Sequence, residues 1–387
     1  MRIGLVCPYD IAKAGGVQEV VRALCNGLNQ TGHYAKIITP QPKHTENADL
    51  NDVIFIGGAT DIYSPMHTVA QVSASVSGDY IDEVLEFEKF DILHFHEPWI
   101  PVLSRQILMH SRSVNVATFH AKIPETIMSQ SLMRAVTPYL KSVLKYVDDI
   151  TAVSEAAAEY IGTLTDQPIT IIPNGINLST YKFRVDDQDN PRKMILYIGR
   201  LERRKGVKYL LRAYDYLTTQ RDDVELVIAG DGPDRLKLEA MVEDMQLPNV
   251  SFLGYVSEAE KQTLLATADV FCSPAIFGES FGIVLLEAIA SGVPVVAGNN
   301  PGYTSVLQGV GALSLVKPQD SEDFARRLNT FLGEPAVRKM WRAWAKTYVK
   351  QFAYPTVVKQ YEEAYEAALE SRIVAPRLAL EKDDTAA

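Results

Sequence analysis

The sequence predicts an α/β protein built as two parallel-sheet lobes. Short runs rich in Val, Ile and Leu alternate with longer helical patterns along the chain, the mark of parallel strands joined by crossover helices. The alternation occurs twice without repeating the sequence, on either side of Pro173-Asn174-Gly175 and the polar stretch Val185 to Arg192. A chain of 387 residues also has room for two to three domains of about 100–200 residues.

In the first half the apolar runs place strands at Ile3–Cys7, Ala35–Thr39, Val53–Ile56, Asp91–His96, Val114–Phe119 and Ile150–Val153. The first helix, Val17 to Asn29, carries its apolar residues on one face and stops at Thr31-Gly32. Another begins at Ser154, whose hydroxyl can cap the amides of Ala156 and Ala157. In the second half the strands fall at Met194–Ile198, Glu225–Ala229, Val250–Leu253, Val270–Ser273 and Pro294–Ala297. The domains expected are 1–174 and 175–355, with an amphipathic helix over 356–372 crossing back to the first and a flexible tail over 373–387.

Composition excludes several classes. Hydrophobic residues make up 47% and charged residues 22%, as in an ordinary globular protein rather than a disordered or fibrous one. No apolar stretch reaches the ~18 residues of a membrane span, and the run before Pro8 is too short for a signal peptide. Cys7, Cys25 and Cys272 are odd in number, far apart and set among apolar neighbours, which points to a reducing cytoplasmic compartment. The net charge of −10 argues against nucleic acid, yet Arg200, Arg203, Arg204, Lys205, Lys208 and Arg212 stand against only Glu202, an island suited to one small anion.

Motifs sharpen this. Gly15-Gly16 follows the first strand and opens a helix, which is either a tight turn or a place where backbone N–H groups meet an anion. No G-x-G-x-x-G and no P-loop motif occurs, which counts against nicotinamide enzymes and P-loop nucleotidases; in Gly230-Asp231-Gly232-Pro233 the proline reads as a helix cap. Arg200 and Lys205 follow the strand ending at Ile198, the edge where open α/β sheets bind ligands, and together suit a diphosphate. Arg203 and Arg204 are read equally well as a solvated loop. A helix beginning near Gly282 aims the amides of Phe281, Gly282 and Ile283 at an anion, with Glu279 before it and Glu287 on its flank. Both carboxylates suit hydroxyl groups, although Glu287 also reads as half of a buried ion pair. His94, His96 and His120 end two strands; spacing fixes no third metal ligand, and His120 is the better candidate as a donor to a sugar hydroxyl or to developing charge.

Taken together, Gly15-Gly16, Phe119-His120, Pro173-Asn174-Gly175, Gly199-Arg200, Lys205-Gly206 and Glu279-Ser280-Phe281-Gly282 with Glu287 resemble the retaining glycosyltransferases of group 1 and family 4. The resemblance spans nearly the whole chain. It implies a GT-B fold, two Rossmann-like doubly wound domains facing across a cleft, with His120, Arg200, Lys205 and Glu279 as catalytic residues. It implies a donor site of Gly15, Gly16, Arg200, Lys205, Val256, Glu279, Ser280, Phe281, Gly282, Ile283 and Glu287: Arg200 and Lys205 on the diphosphate, Gly16 giving it backbone access, Glu287 on the ribose, Val256 beside the base, Glu279 and His120 on the hexose. Within the family, the amino terminus and the His-x-His-Glu-Pro run at 94–98 look most like the phosphatidyl-myo-inositol mannosyltransferases, where Tyr9 and Gln18 match acceptor-facing positions.

Departures lie on the acceptor side. Trp99 stands where that subgroup has Asn, Ala121 stands where it has a small hydroxyl residue, and Ser75 to Phe90 is acidic where lipid-using members carry a basic membrane helix. These features count against a phosphoinositide acceptor. The expected reaction is transfer of a hexose from a nucleotide diphosphate sugar, GDP-mannose favoured over a UDP-sugar, to a hydroxyl of a glycan or lipid-linked precursor. No metal or cofactor is expected, and membrane contact is at most peripheral, at the inner face. Two rivals are a nucleotide-sugar epimerase of the same fold and a non-catalytic nucleotide-sugar-binding protein.

Overall fold

A computed structural model describes residues 1–13, 15–42, 51–63, 69–73, 76–122, 127–186 and 192–374. The first lobe runs β1 Arg2–Val6, α1 Gly16–Gln30, β2 Tyr34–Gln41, β3 Val53–Tyr63, β4 Val69–Ser73, α2 Gly78–Glu88, β5 Ile92–His96, α3 Leu103–His110, β6 Val114–Phe119, α4 Ile127–Leu144, β7 Asp149–Ala152, α5 Glu155–Ile161 and β8 Ile169–Ile171. Its sheet order is β4-β3-β2-β1-β5-β6-β7-β8, parallel throughout except for β4, which returns antiparallel beside β3. The second lobe continues with β9 Lys193–Ile198, α6 Val207–Thr218, β10 Val224–Ala229, α7 Arg235–Asp244, β11 Val250–Gly254, α8 Glu258–Thr267, β12 Val270–Ser273, α9 Ile283–Ala290, β13 Val295–Gly298, α10 Pro301–Val306, β14 Leu315–Val316, α11 Ser321–Gly333 and α12 Pro335–Tyr348. Its six parallel strands are ordered β11-β10-β9-β12-β13-β14.

Both sheets are thus doubly wound. The order reverses between β1 and β5 in the first and between β9 and β12 in the second, and ligands of such sheets bind beyond the carboxyl ends of the strands at that reversal. The central strands are apolar on both faces because helices cover both: Ile3, Leu5 and Val6 of β1 and Ile195 and Leu196 of β9 are fully buried.

The structure adds three strands to those the sequence predicts, β4, β8 and β14, and moves several boundaries. Pro233 lies in the turn before α7, whose N-cap position is Asp234, so it does not occupy the first helical position. The last helix, α13, spans Tyr354–Val374, so residues 373 and 374 belong to it and not to a tail. Its buried face (Val357, Val358, Tyr361 and Tyr365) packs in the core that holds β1 and α1. Polar contacts fix it there: the Tyr365 hydroxyl meets His94 Nδ1 at 2.7 Å, and His94 Nε2 meets Thr118 Oγ1 at 2.6 Å. The two chain crossings between the lobes bond to each other, Ile176 N–H to the Phe352 carbonyl at 2.8 Å and Tyr354 N–H to the Ile176 carbonyl at 3.2 Å. Gly175 is needed beside them because a Cβ there would stand 2.5 Å from the Tyr354 ring. Expectations for residues 14, 75, 187–191 and 375–387 fall outside the described residues.

Candidate functional site

In the second lobe the site begins where β9 gives way to α6. Gly206 caps α6 with φ +71, and a Cβ there would meet the Pro274 carbonyl oxygen at 2.1 Å, so the β9–α6 loop lies directly against the chain leaving β12. The Ile276 N–H donates to the Arg204 carbonyl at 2.9 Å and staples the two loops. Two cations then converge on one carboxylate: Arg204 Nη1 lies 2.7 Å and Lys205 Nζ 2.8 Å from Glu279 Oε1. Arg204 also reaches Glu202 Oε1 at 2.7 Å. The sequence left Arg204 open as a solvated loop residue; it is the companion of Lys205. Arg200 is exposed, makes no ion pair among the described residues, and has its carbonyl fixed by the Tyr197 hydroxyl at 2.8 Å.

Glu279 is buried at the head of the loop that enters α9. Gly282 occupies the N-cap of α9 with φ +105, and among the described residues nothing accepts from the amides of Phe281, Gly282 or Ile283. The Phe281 side chain itself is core, edge-to-face with Phe352, so only its amide can serve an anion. Asn300 Nδ2 holds the Ala275 carbonyl at 3.0 Å and Gly302 backs onto the Glu279 carbonyl, which fixes this loop from behind.

The flank of α9 differs from the expectation of an open carboxylate. Glu287 is buried and bound to Lys261 Nζ at 2.6 Å, with Tyr181 beside it. Burial raises its pKa and Lys261 opposes the rise. Lys261 lies on α8, 26 residues away in sequence, and nothing in the sequence pattern links it to Glu287. Val256 follows the end of β11 and is half-buried.

The first lobe presents its own switch point. Gly15 and Gly16 open α1, and a Cβ on Gly16 would lie 3.7 Å from Ile283 Cδ1, so this turn faces the amino end of α9 across the cleft. Gln18 folds over Gly15. A second cross-cleft contact runs from the Ser154 hydroxyl, which caps α5, to the Ser280 carbonyl. Beyond β5 and β6 the residues are buried and polar. Glu97 adopts φ +52, a conformation that non-glycine residues hold at a cost and that clusters at functional sites. Its Oε1 accepts from the His120 N–H at 2.6 Å and its Oε2 from the Trp99 indole, which gives Trp99 a structural partner. Burial pushes the Glu97 pKa up to about 7. Tyr9 lies in the field of Glu97, and burial raises its pKa well above the usual phenol value. His120 is 7% exposed, with its Nε2 2.9 Å from His96 Nδ1. Burial lowers its pKa to about 4, so the ring is neutral at pH 7.

Among the described residues no group of three or more His, Cys, Asp or Glu is arranged to hold a metal ion. No helix of the described residues is long and apolar enough to cross a membrane.

Comparison with known proteins follows the same division into lobes. Residues 14–180 match the family described as Glycosyltransferase Family 4, and residues 181–348 match Glycosyl transferases group 1. The phosphatidyl-myo-inositol mannosyltransferase of Mycolicibacterium smegmatis is 31% identical over 370 residues, covering 95% of this chain and 94% of that one. The enzyme of the same name from Mycobacterium leprae is 31% identical over 375 residues, 96% of this chain and 98% of its own. Among solved structures, sucrose-phosphate synthase of Thermosynechococcus elongatus superimposes with a TM-score of 0.75 at 20% identity, over 95% of this chain and 99% of that one. Anabaena HepE, solved in complex with UDP and glucose, gives 0.73 at 18% identity, over 95% and 100%.

Proposed function

Because the chain belongs to the glycosyltransferases of group 1 and family 4 and has their GT-B fold, we propose that it transfers a hexose with retention from a nucleotide diphosphate sugar to a hydroxyl acceptor. GDP-mannose is the favoured donor, on the strength of relatives named as mannosyltransferases. The observation that carries the reading is the convergence of Arg204 and Lys205 on Glu279, beside the α9 amides and opposite Gly16.

As the bond from sugar to phosphate breaks, negative charge grows on the diphosphate and positive charge on the ring. Lys205, Arg204, Arg200 and the amides of Phe281 to Ile283 meet the first. Glu279, held on one oxygen by the two cations, keeps its other oxygen for sugar hydroxyls, and His120 donates to the hexose from the first lobe. Departure and attack then share one face of the sugar, and the leaving phosphate accepts the proton of the acceptor hydroxyl. These cations supply the charge that a metal would otherwise bring, so the reaction runs without one. The nucleotide lies along the second lobe, its ribose at Glu287 once Lys261 yields a share of that carboxylate, and its base near Val256.

The acceptor is a glycan or a lipid-linked precursor, reached past Tyr9 and Gln18. Asp79, Glu83 and Glu86 are exposed on α2, which would repel an anionic bilayer; Glu88 of the same helix points inward to Arg2 and Lys36. We place the enzyme in the cytoplasm, with at most peripheral contact at the inner membrane face.

The test is mass-spectrometric consumption of a panel of nucleotide sugars by the purified protein, with cell extract as acceptor source. The expected outcome is acceptor-dependent loss of GDP-mannose, reduced about 10²–10³-fold in Lys205→Ala and unchanged by EDTA. Conversion of the donor, without acceptor, to an isomer of the same mass resolved by chromatography would indicate an epimerase, and tight donor binding without turnover a sensor.

A further inference from the structure

Three imidazoles stand in file behind the cleft. The His94 and His96 rings have centroids 4.1 Å apart, and those of His96 and His120 are 5.2 Å apart and stacked. His94 is satisfied on both nitrogens, by Tyr365 and Thr118. His96 is not: its Nδ1 faces His120 Nε2 at 2.9 Å, while its Nε2 is buried with no hydrogen-bond partner among the described residues.

That orphan favours one position for the shared proton. Two neutral imidazoles joined at one contact hold a single proton between them. If His120 Nε2 carried it, His96 Nδ1 would accept, and the remaining proton of His96 would lie on Nε2 as a buried N–H with nothing to receive it. Such donors are rare, and leaving one unsatisfied costs about 1–3 kcal/mol. If His96 Nδ1 carries it, Nε2 is an unpaired acceptor, which buried sites tolerate more often than an unpaired N–H. His120 Nε2 then accepts, and the only proton of the His120 ring is on Nδ1.

We propose that His96 is a positioning residue that fixes His120 as its Nδ1–H tautomer, so that the ring nitrogen turned away from His96 is always a donor, shared between the Asn174 side chain, which already hydrogen-bonds this ring, and a sugar hydroxyl. The catalytic sense of this rests on the transferase reading; the tautomer does not. Burial depresses both pKa values, His96 well below its ordinary value, so neither ring takes a second proton at pH 7 that would erase the distinction. The His120 amide is committed to Glu97 Oε1, which holds the residue from its backbone side.

The test is two-bond proton–nitrogen correlation NMR on the full chain with its 7 histidines labelled with nitrogen-15, the His120 signals being assigned by their loss in His120→Gln. The expected spectrum shows His120 protonated on Nδ1 alone. His96→Asn, whose amide nitrogen can donate from the Nδ1 position, is expected to keep that pattern, whereas His96→Phe gives a mixture of tautomers. With GDP-mannose as donor, His96→Phe is expected to lower kcat about 10-fold or more at little change in KM, and His96→Asn to restore it. A native His120 protonated on Nε2 would overturn the proposal, as would a single Nδ1–H form persisting in His96→Phe or a kcat unchanged there despite a changed tautomer. The spectrum needs no turnover, so it stands or falls apart from the glycosyl-transfer assay.

Discussion

The buried histidines make the first lobe sensitive to acid, and the sign follows from where each proton prefers to sit. Burial lowers His94 to about 3 and His120 to about 4, and lowers His96 as well. Between those values and the unfolded pKa near 6.5, the unfolded chain binds protons that the folded chain refuses, so stability falls as pH falls through that window. Glu97 works in the opposite direction. Its folded pKa of about 7 lies above the unfolded value of 4.5, so its contribution weakens as pH rises between them. Three imidazoles outweigh one carboxyl, and this cluster gives a net gain in stability from pH 4 to 6.5. In His94→Gln the dependence on pH is expected to be shallower by about 1.4 kcal/mol per pH unit in that range, read from urea unfolding at several pH values; an unchanged slope would mean that His94 is charged in the fold. At this scale Lys205, Glu279 and His120 were legible because each follows the end of an apolar strand. Arg204 was not, because adjacent basic residues in a loop look alike until a buried carboxylate shows which of them it binds. Lys261 was hidden for another reason: its partner lies on a different helix.

At the scale of elements, the long strands and amphipathic helices declared themselves through uninterrupted burial and helical spacing, as in Val114–Phe119, found with the boundaries expected of it. The strands that escaped notice are edge or near-edge pieces of two to five residues, β14, β8 and β4, too short for any periodicity to register. The loops at the site follow from glycines whose roles are geometric. Gly206 is the clearest, since it lies in the left-handed region and a Cβ would strike the Pro274 carbonyl at 2.1 Å. Gly206→Ala is therefore expected to lower stability by at least about 1–3 kcal/mol, seen as a lower urea midpoint at unchanged m-value. It should also weaken transfer, because the residues displaced first are Arg204 and Lys205. A midpoint equal to that of the parent would show that the two loops can part without loss.

For the whole molecule, the doubly wound order of both sheets brings two switch points to face each other, and the residues that meet there come from opposite halves of the chain. A strand-by-strand reading could anticipate two lobes, but not the distance between them, which depends on how residues 174–177 and 352–354 bond at the crossing. Gly16 separates what the fold needs from what the proposed reaction needs. A methyl group there would sit 3.7 Å from Ile283 Cδ1, an ordinary contact, and alanine is a better helix former than glycine by about 0.5–1 kcal/mol. Gly16→Ala should therefore fold at least as stably as the parent. Yet the same methyl group would stand between the α1 amides and the α9 amides, where a diphosphate has to approach the backbone closely. A displacement of about 1 Å in a reacting group can cost about 10²-fold in rate. The variant is accordingly expected to keep or raise its melting temperature while transfer from GDP-mannose falls by up to about 10²-fold. Full activity in a well-folded Gly16→Ala would mean that the diphosphate lies wholly on the second lobe and that closure of the cleft has no part in holding it.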